Sequence, residues 1–170
     1  MEPLSLGGAG MDLSAGATLI VGVVVGLLAA VVMDWPMSRQ PDGFVPAYIA
    51  ASVVTRQPLA DVRLPEAMIV HHLAGALAGL LYAVLFTGFS VEFPPLLMVV
   101  GVDLLSHLLA VAVVVGFIYA FFAHFVLPRA GGQSYEEQAT AVRGQWLRSA
   151  LVFGATMAVG VPAVIASLPR

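Results

Sequence analysis

Residues 67–88, AMIVHHLAGALAGLLYAVLFTG, run without a single Asp, Glu, Lys or Arg. At about 1.5 Å per residue, a helix of this length covers the ~30 Å hydrocarbon core of a bilayer. Three further stretches are of similar length and carry a single charged residue each, over residues 17–35 (Asp34), 95–121 (Asp103) and 146–168 (Arg148). Together they predict an all-α integral membrane protein: one transmembrane domain over residues 1–170, built as a four-transmembrane-helix bundle.

Composition points the same way. Of the chain, 60% is hydrophobic and 10% is charged, and the mean hydropathy is +0.97. A soluble domain carries about 25% charged residues, so there is too little polar surface here to clothe a core in water. The net charge of −3 argues against nucleic acid as a partner, because a phosphate-tracking surface needs clustered Lys and Arg. The absence of cysteine excludes disulfides, thiolate metal sites, iron–sulfur clusters and covalent haem attachment. The opening residues, MEPLSLGGAGMDLSAGATL, carry acids and glycines where a signal peptide carries a basic region, so no cleavage is expected.

The linkers, residues 36–66 and 122–145, set the expected orientation. Arg39, Arg56 and Arg63 precede the second span, Arg129, Arg143 and Arg148 flank the start of the fourth, and the opposite side has only Arg170. By the positive-inside rule both linkers are cytoplasmic and both termini lie outside the cell membrane. Trp35, Trp146, Phe117, Tyr119, Phe121 and Phe122 would form the interfacial belt. A short interfacial helix is expected from Pro46 to Arg56 in the first linker, since proline is suited to a first helical turn. In the other, Ser134 followed by Glu137 is a capping-box pattern and predicts a helix leading into the fourth span. Pro162 should bend that span, because it lacks a backbone donor. No internal repeat is visible.

In lipid, helices associate through close packing of small residues. Gly22 and Gly26 in the first span, and Gly75 and Gly79 in the second, have the spacing that lets two backbones touch. His72, Gly75, Gly79 and Tyr82 share one quadrant of the second helix, with His71 beside them, so the histidines are expected to face the bundle. In the third span Asp103 and His107 should stack on one face, with Ser106 on its flank. Ionisable groups at membrane depth generally face protein or water. Counting outward from the short turn between the second and third spans puts His72 and His107 at similar depths. Two polar layers follow as an expectation, a deeper one with His72, His107 and Asp103, and a shallower one with His71, His124 and Asp34.

These residues support readings of several classes. An assembly subunit, packed through its glycine-rich faces against other membrane subunits or further copies of itself, needs the fewest assumptions. Inward histidines could instead ligate a b-type haem, with His72 and His107 as the axial pair and His71 and His124 as weaker candidates. The same His and Asp residues could hold a divalent metal, and Asp103, Ser106 and His107 could line a proton or ion path in an oligomer. Catalysis is not expected, since no nucleophile, phosphate loop or paired-carboxylate site is recognisable. The segments VVMDWPMSRQPDGFVPAYIAASV and VHHLAGALAGLLYAVLF, together with arginine in the absence of lysine, resemble small four-helix membrane proteins of halophilic archaea. The resemblance covers the first half of the chain. It implies the four-helix fold and carries over no activity, cofactor or site residue.

Overall fold

A computed structural model describes residues 14–130 and 132–168, with side chains described outside 129–138. Six α-helices follow in order: α1 (Ala15–Ser38), α2 (Val45–Thr55), α3 (Leu64–Glu92), α4 (Leu104–Phe121), α5 (Leu127–Ala130) and α6 (Gly132–Ser167). A π-helical turn, Phe122–Val126, joins α4 to α5. Four helical stretches are long and apolar enough to cross a membrane: Ala15–Ser38, Leu64–Glu92, Leu104–Val126 and Ala139–Ser167.

Local signals fix the helix starts. Ser14 caps α1 by accepting from the Ala17 N–H at 3.2 Å, which satisfies one of the donors a helix leaves unpaired at its first turn. At α3, Pro65 occupies the first turn and Glu66 folds back to accept from the Arg63 N–H at 3.1 Å. The second span is therefore longer at both ends than residues 67–88. α2 stops at Arg56, whose left-handed φ of 56° ends the helix before Pro58.

The third span is corrected most. Residues 95–103 are not helical: Met98–Val99 (β1) and Val102–Asp103 (β2) pair antiparallel, with Met98 opposite Asp103 and Val99 opposite Val102. Val100 and Gly101 make the turn with φ of 51° and 84°, the pair of positive values a two-residue hairpin requires. Pro94 and Pro95, which have no backbone N–H to donate, stop α3 from running on past Phe93. Asp103 then caps α4, its Oδ2 accepting from the Ser106 N–H at 3.0 Å.

The core runs down the middle of α1, α3, α4 and α6 and includes Val25, Met33, Tyr82, Val114, Phe153 and Met157. The outward faces stay apolar, with Ile20, Leu73, Leu77 and Leu151 exposed. α2 does more than lie at an interface. Its Ile49 is fully buried with Leu127 and Val142, and Asp42 before it exchanges two hydrogen bonds with Gln145, at 3.0 and 3.3 Å. The first linker thus closes the arginine-bearing end of the bundle. α6 starts before the expected span, and the side chains of Ser134, Glu137 and Arg129, like residues 1–13 and Arg170, lie outside the described residues. The helix continues unbroken through Pro162.

Candidate functional site

α1 and α3 are antiparallel and meet backbone to backbone. A Cβ added at Gly22 would lie 2.5 Å from the Gly79 carbonyl oxygen and 2.9 Å from the Ala83 Cβ. One at Gly26 would strike the Gly75 carbonyl oxygen, and one at Gly75 the Ala30 Cβ. The glycines thus face each other within the chain, so an outside partner would have to use other surfaces.

The next step of this ladder is polar. One turn after Gly26, the Ala30 carbonyl oxygen lies 3.3 Å from His71 Nε2. One turn further, Asp34 reaches both histidines: Oδ1 is 3.2 Å from His71 Nε2 and Oδ2 is 2.8 Å from His72 Nε2. Every step advances four residues on α1, so the small-residue strip sets the register that brings Asp34 to the histidines. His71 is buried, while the His72 and Asp34 side chains keep 29% and 24% of their exposure, leaving one side of the cluster open. Asp34 Oδ1 is buried and has no hydrogen-bond partner. Among the described residues, this is the one group of three His, Cys, Asp or Glu side chains whose ligand atoms all lie within 4.8 Å of one another.

His107 belongs to a different arrangement. Its Nε2 lies 3.0 Å from the Ala158 carbonyl oxygen and its Nδ1 2.7 Å from the Tyr82 hydroxyl. A carbonyl only accepts, so Nε2–H donates to it, Nδ1 is the acceptor, and the Tyr82 O–H donates. The Ala158 carbonyl is available because its helical donor would be the N–H of residue 162, and Pro162 has none. One imidazole therefore repairs the gap left by a proline on α6 and ties α3, α4 and α6 together.

The expected pairing of His72 with His107 is corrected. Tyr82, which holds His107, lies ten residues along α3 from His72, about 15 Å at ~1.5 Å per residue. The depth count failed because α3 runs on to Glu92 and α4 begins only at Leu104. Both nitrogens of His107 are engaged, so it offers no lone pair to a haem iron, and these residues do not fit a bis-histidine haem. Asp103 caps its helix rather than stacking on His107. Its Oδ1 and the Ser106 Oγ are both buried. His124 does not join His71 and Asp34; it is exposed in the π-helical turn, with its ring 6.1 Å from that of Tyr119.

Beside His71 lies a cavity of about 230 Å³ between α1, α2, α3, α4 and α6. Its wall includes Ala30, Ala47, Ala78, Phe117, Trp146 and Phe153, and among the described residues His71 is the only ionisable one lining it. Sequence reasoning missed this cavity, and it missed the Tyr82–His107–Ala158 link. The link had a signal: a proline inside a span always leaves a carbonyl four residues earlier without its donor. No family model, curated protein or solved structure matches the chain.

Proposed function

We propose that the chain is a membrane protein that binds one divalent transition-metal ion through Asp34, His71 and His72. The observation that carries the reading is the convergence of one carboxylate and two imidazole nitrogens from two helices, with Asp34 Oδ1 buried, 3.2 Å from His71 Nε2 and without an aligned hydrogen bond; ligation would draw His71 Nε2 from the Ala30 carbonyl, 3.3 Å away. Ligand atoms about 2.0–2.2 Å from a common ion lie roughly 3–3.5 Å apart; the carboxylate meets the two imidazoles through different oxygens, at 3.2 and 2.8 Å, and one ligand atom from each residue lies within 4.8 Å of the others, so a small closure of the three side chains would complete the site. Two imidazoles and one carboxylate suit zinc, iron(II), manganese or nickel rather than calcium or magnesium, which prefer oxygen ligands. Three protein ligands leave coordination positions open to water or an external donor. The arginine asymmetry supports placing this end of the bundle at the cytoplasmic face of the cell membrane, with both termini outside.

The test is metal titration of the purified, chelator-stripped protein in detergent or nanodiscs, using Zn²⁺ for calorimetry and Co²⁺ for its visible spectrum. One ion per chain is expected. Loss of a second-shell contact costs about 10–100-fold in affinity, so His72→Ala and Asp34→Asn, which remove ligands themselves, should cost at least that much. Absence of binding, or equal binding by wild type and both variants, overturns the reading.

A second reading, a subunit of a larger membrane assembly or a homo-oligomer, is supported by the apolar segment beyond α3. Leu96, Leu97 and Met98 there are 72%, 56% and 52% exposed. Native mass spectrometry from nanodiscs tests it, with a monomer released from native membranes counting against it.

A further inference from the structure

The cavity beside the cluster has the shape and polarity of a lipid-chain site. Its exposed lining residues, Ala74 and Leu77 on α3 and Phe117 and Phe121 on α4, stand on two neighbouring helices, so its mouth opens sideways. α2 closes it at the arginine-bearing end through Pro46, Ala47 and Ala50. In a bilayer, a sideways opening at the depth of residues 71–81 meets hydrocarbon. Water has little to bond there, because the wall offers one imidazole and otherwise apolar side chains. A cavity of about 150 Å³ holds a benzene molecule, so 230 Å³ accommodates one ring or a short length of chain and is too small for a porphyrin.

Polarity runs the way a lipid does. The Asp34–His71–His72 cluster lies at the end nearer the arginine linkers, and the apolar chamber extends from His71 toward the bilayer centre. We propose that this cavity takes the chain of a single-tailed membrane amphiphile, acyl or prenyl, whose oxygen-bearing head sits at the cluster. The contact with the head rests on the metal reading, since an open coordination position is what an oxygen donor would fill. The seating of the chain does not.

Trp146 is a built-in reporter, because it lines the cavity and is 6% exposed. The chain has two tryptophans, and Trp35 is 66% exposed on the outer surface. Trp35→Phe therefore leaves Trp146 as the sole tryptophan, excited selectively at wavelengths tyrosine does not absorb. This variant, in nanodiscs with and without Zn²⁺, is titrated with three quenching probes: a brominated fatty acid, its methyl ester and a short-chain prenyl quinone. Quenching that saturates at one probe per chain is expected, and should be lost in Ala78→Phe and in Ala50→Phe, which fill the chamber from α3 and from α2. An unchanged helical circular dichroism spectrum and monodisperse elution show, independently of metal, that these variants are folded. Zn²⁺ should tighten the fatty acid several-fold and leave the ester unchanged. Saturation by the fatty acid alone identifies an acyl ligand, and by the quinone alone a prenyl one.

Quenching that rises in proportion to bulk probe and is unaltered in both filled variants overturns the chain site, whatever the metal titration gives. Saturable quenching indifferent to Zn²⁺ overturns the contact with the head. If the protein binds no metal yet quenching saturates and is lost on filling, the metal reading fails and the chain site stands.

Discussion

The bundle uses histidine in two opposite ways. At His107 both ring nitrogens are engaged: Tyr82 donates to one, and the other donates to the carbonyl that Pro162 leaves bare. Around Asp34 the account does not close. Two imidazoles point at one carboxylate, one of its oxygens is buried without a hydrogen bond, and the cluster has an open side. A closed network in a low-dielectric setting rigidifies; an unclosed one is poised for a ligand. The difference between a structural and a binding histidine here lies in what their neighbours leave unsatisfied, and it can be tested residue by residue.

The largest effect should come from the strip that places the open cluster. Gly26→Leu and Gly79→Leu put a side chain where a backbone now sits. Overpacking usually costs about 1–3 kcal/mol and more where the neighbour cannot yield, and here the neighbour is the main chain of another helix. Loss of about 3 kcal/mol or more is expected in detergent unfolding, together with loss of metal binding, because α1 and α3 can no longer keep their register. Gly116→Leu is the control, since nothing lies within 4 Å of a Cβ there. Similar damage at all three positions would show that α1 and α3 do not depend on this contact.

The closed site comes next. His107→Ala strands the Tyr82 hydroxyl and the Ala158 carbonyl, at roughly 1–3 kcal/mol for a buried polar group left unpaired. Metal affinity should not change. Pro162→Ala returns an N–H to the Ala158 carbonyl, so His107→Ala should cost about 1 kcal/mol less in that background than in wild type. An additive double-mutant cycle would mean that the proline and the histidine do not share that carbonyl.

Four apolar spans, the inward histidines and the glycine faces could all be stated from spacing, because each is a property of one helix. The relation between helices was less accessible. LLMVVGVDLL over residues 96–105 reads as one apolar run, and only Gly101 and the capping Asp103 mark that the first part is a hairpin and the helix starts afterwards. That shift of several residues moved His107 out of the layer of His72 and away from Asp103. Asp34 was placed correctly near His71, since both lie at the arginine-bearing ends of their helices. Its contact with His72 was not legible, because rotation about the helix axis is set by the α1–α3 packing. The cavity is likewise a property of five elements at once, including the first linker, whose fold against Leu127 and Val142 no local pattern announced.

The smallest stability effects should fall on the histidines outside the closed network. His72 is partly exposed, and its bond to Asp34 is a rim contact of a kind usually worth about 0–1 kcal/mol. His72→Ala should therefore leave unfolding within ~1 kcal/mol of wild type while removing metal binding, the reverse of His107→Ala. His124 completes the series. It is exposed, with a ring contact to Tyr119 at 6.1 Å, and water can replace whatever its nitrogens bond. His124→Ala should change stability by less than about 0.5 kcal/mol, as surface substitutions generally do, and leave metal affinity at the wild-type value. Detergent unfolding and Zn²⁺ calorimetry on the three alanine variants give a pattern of one loss each for His107 and His72 and none for His124. A His72 variant that loses stability but keeps its metal would make the cluster a second structural clasp and erase the contrast between the two sites.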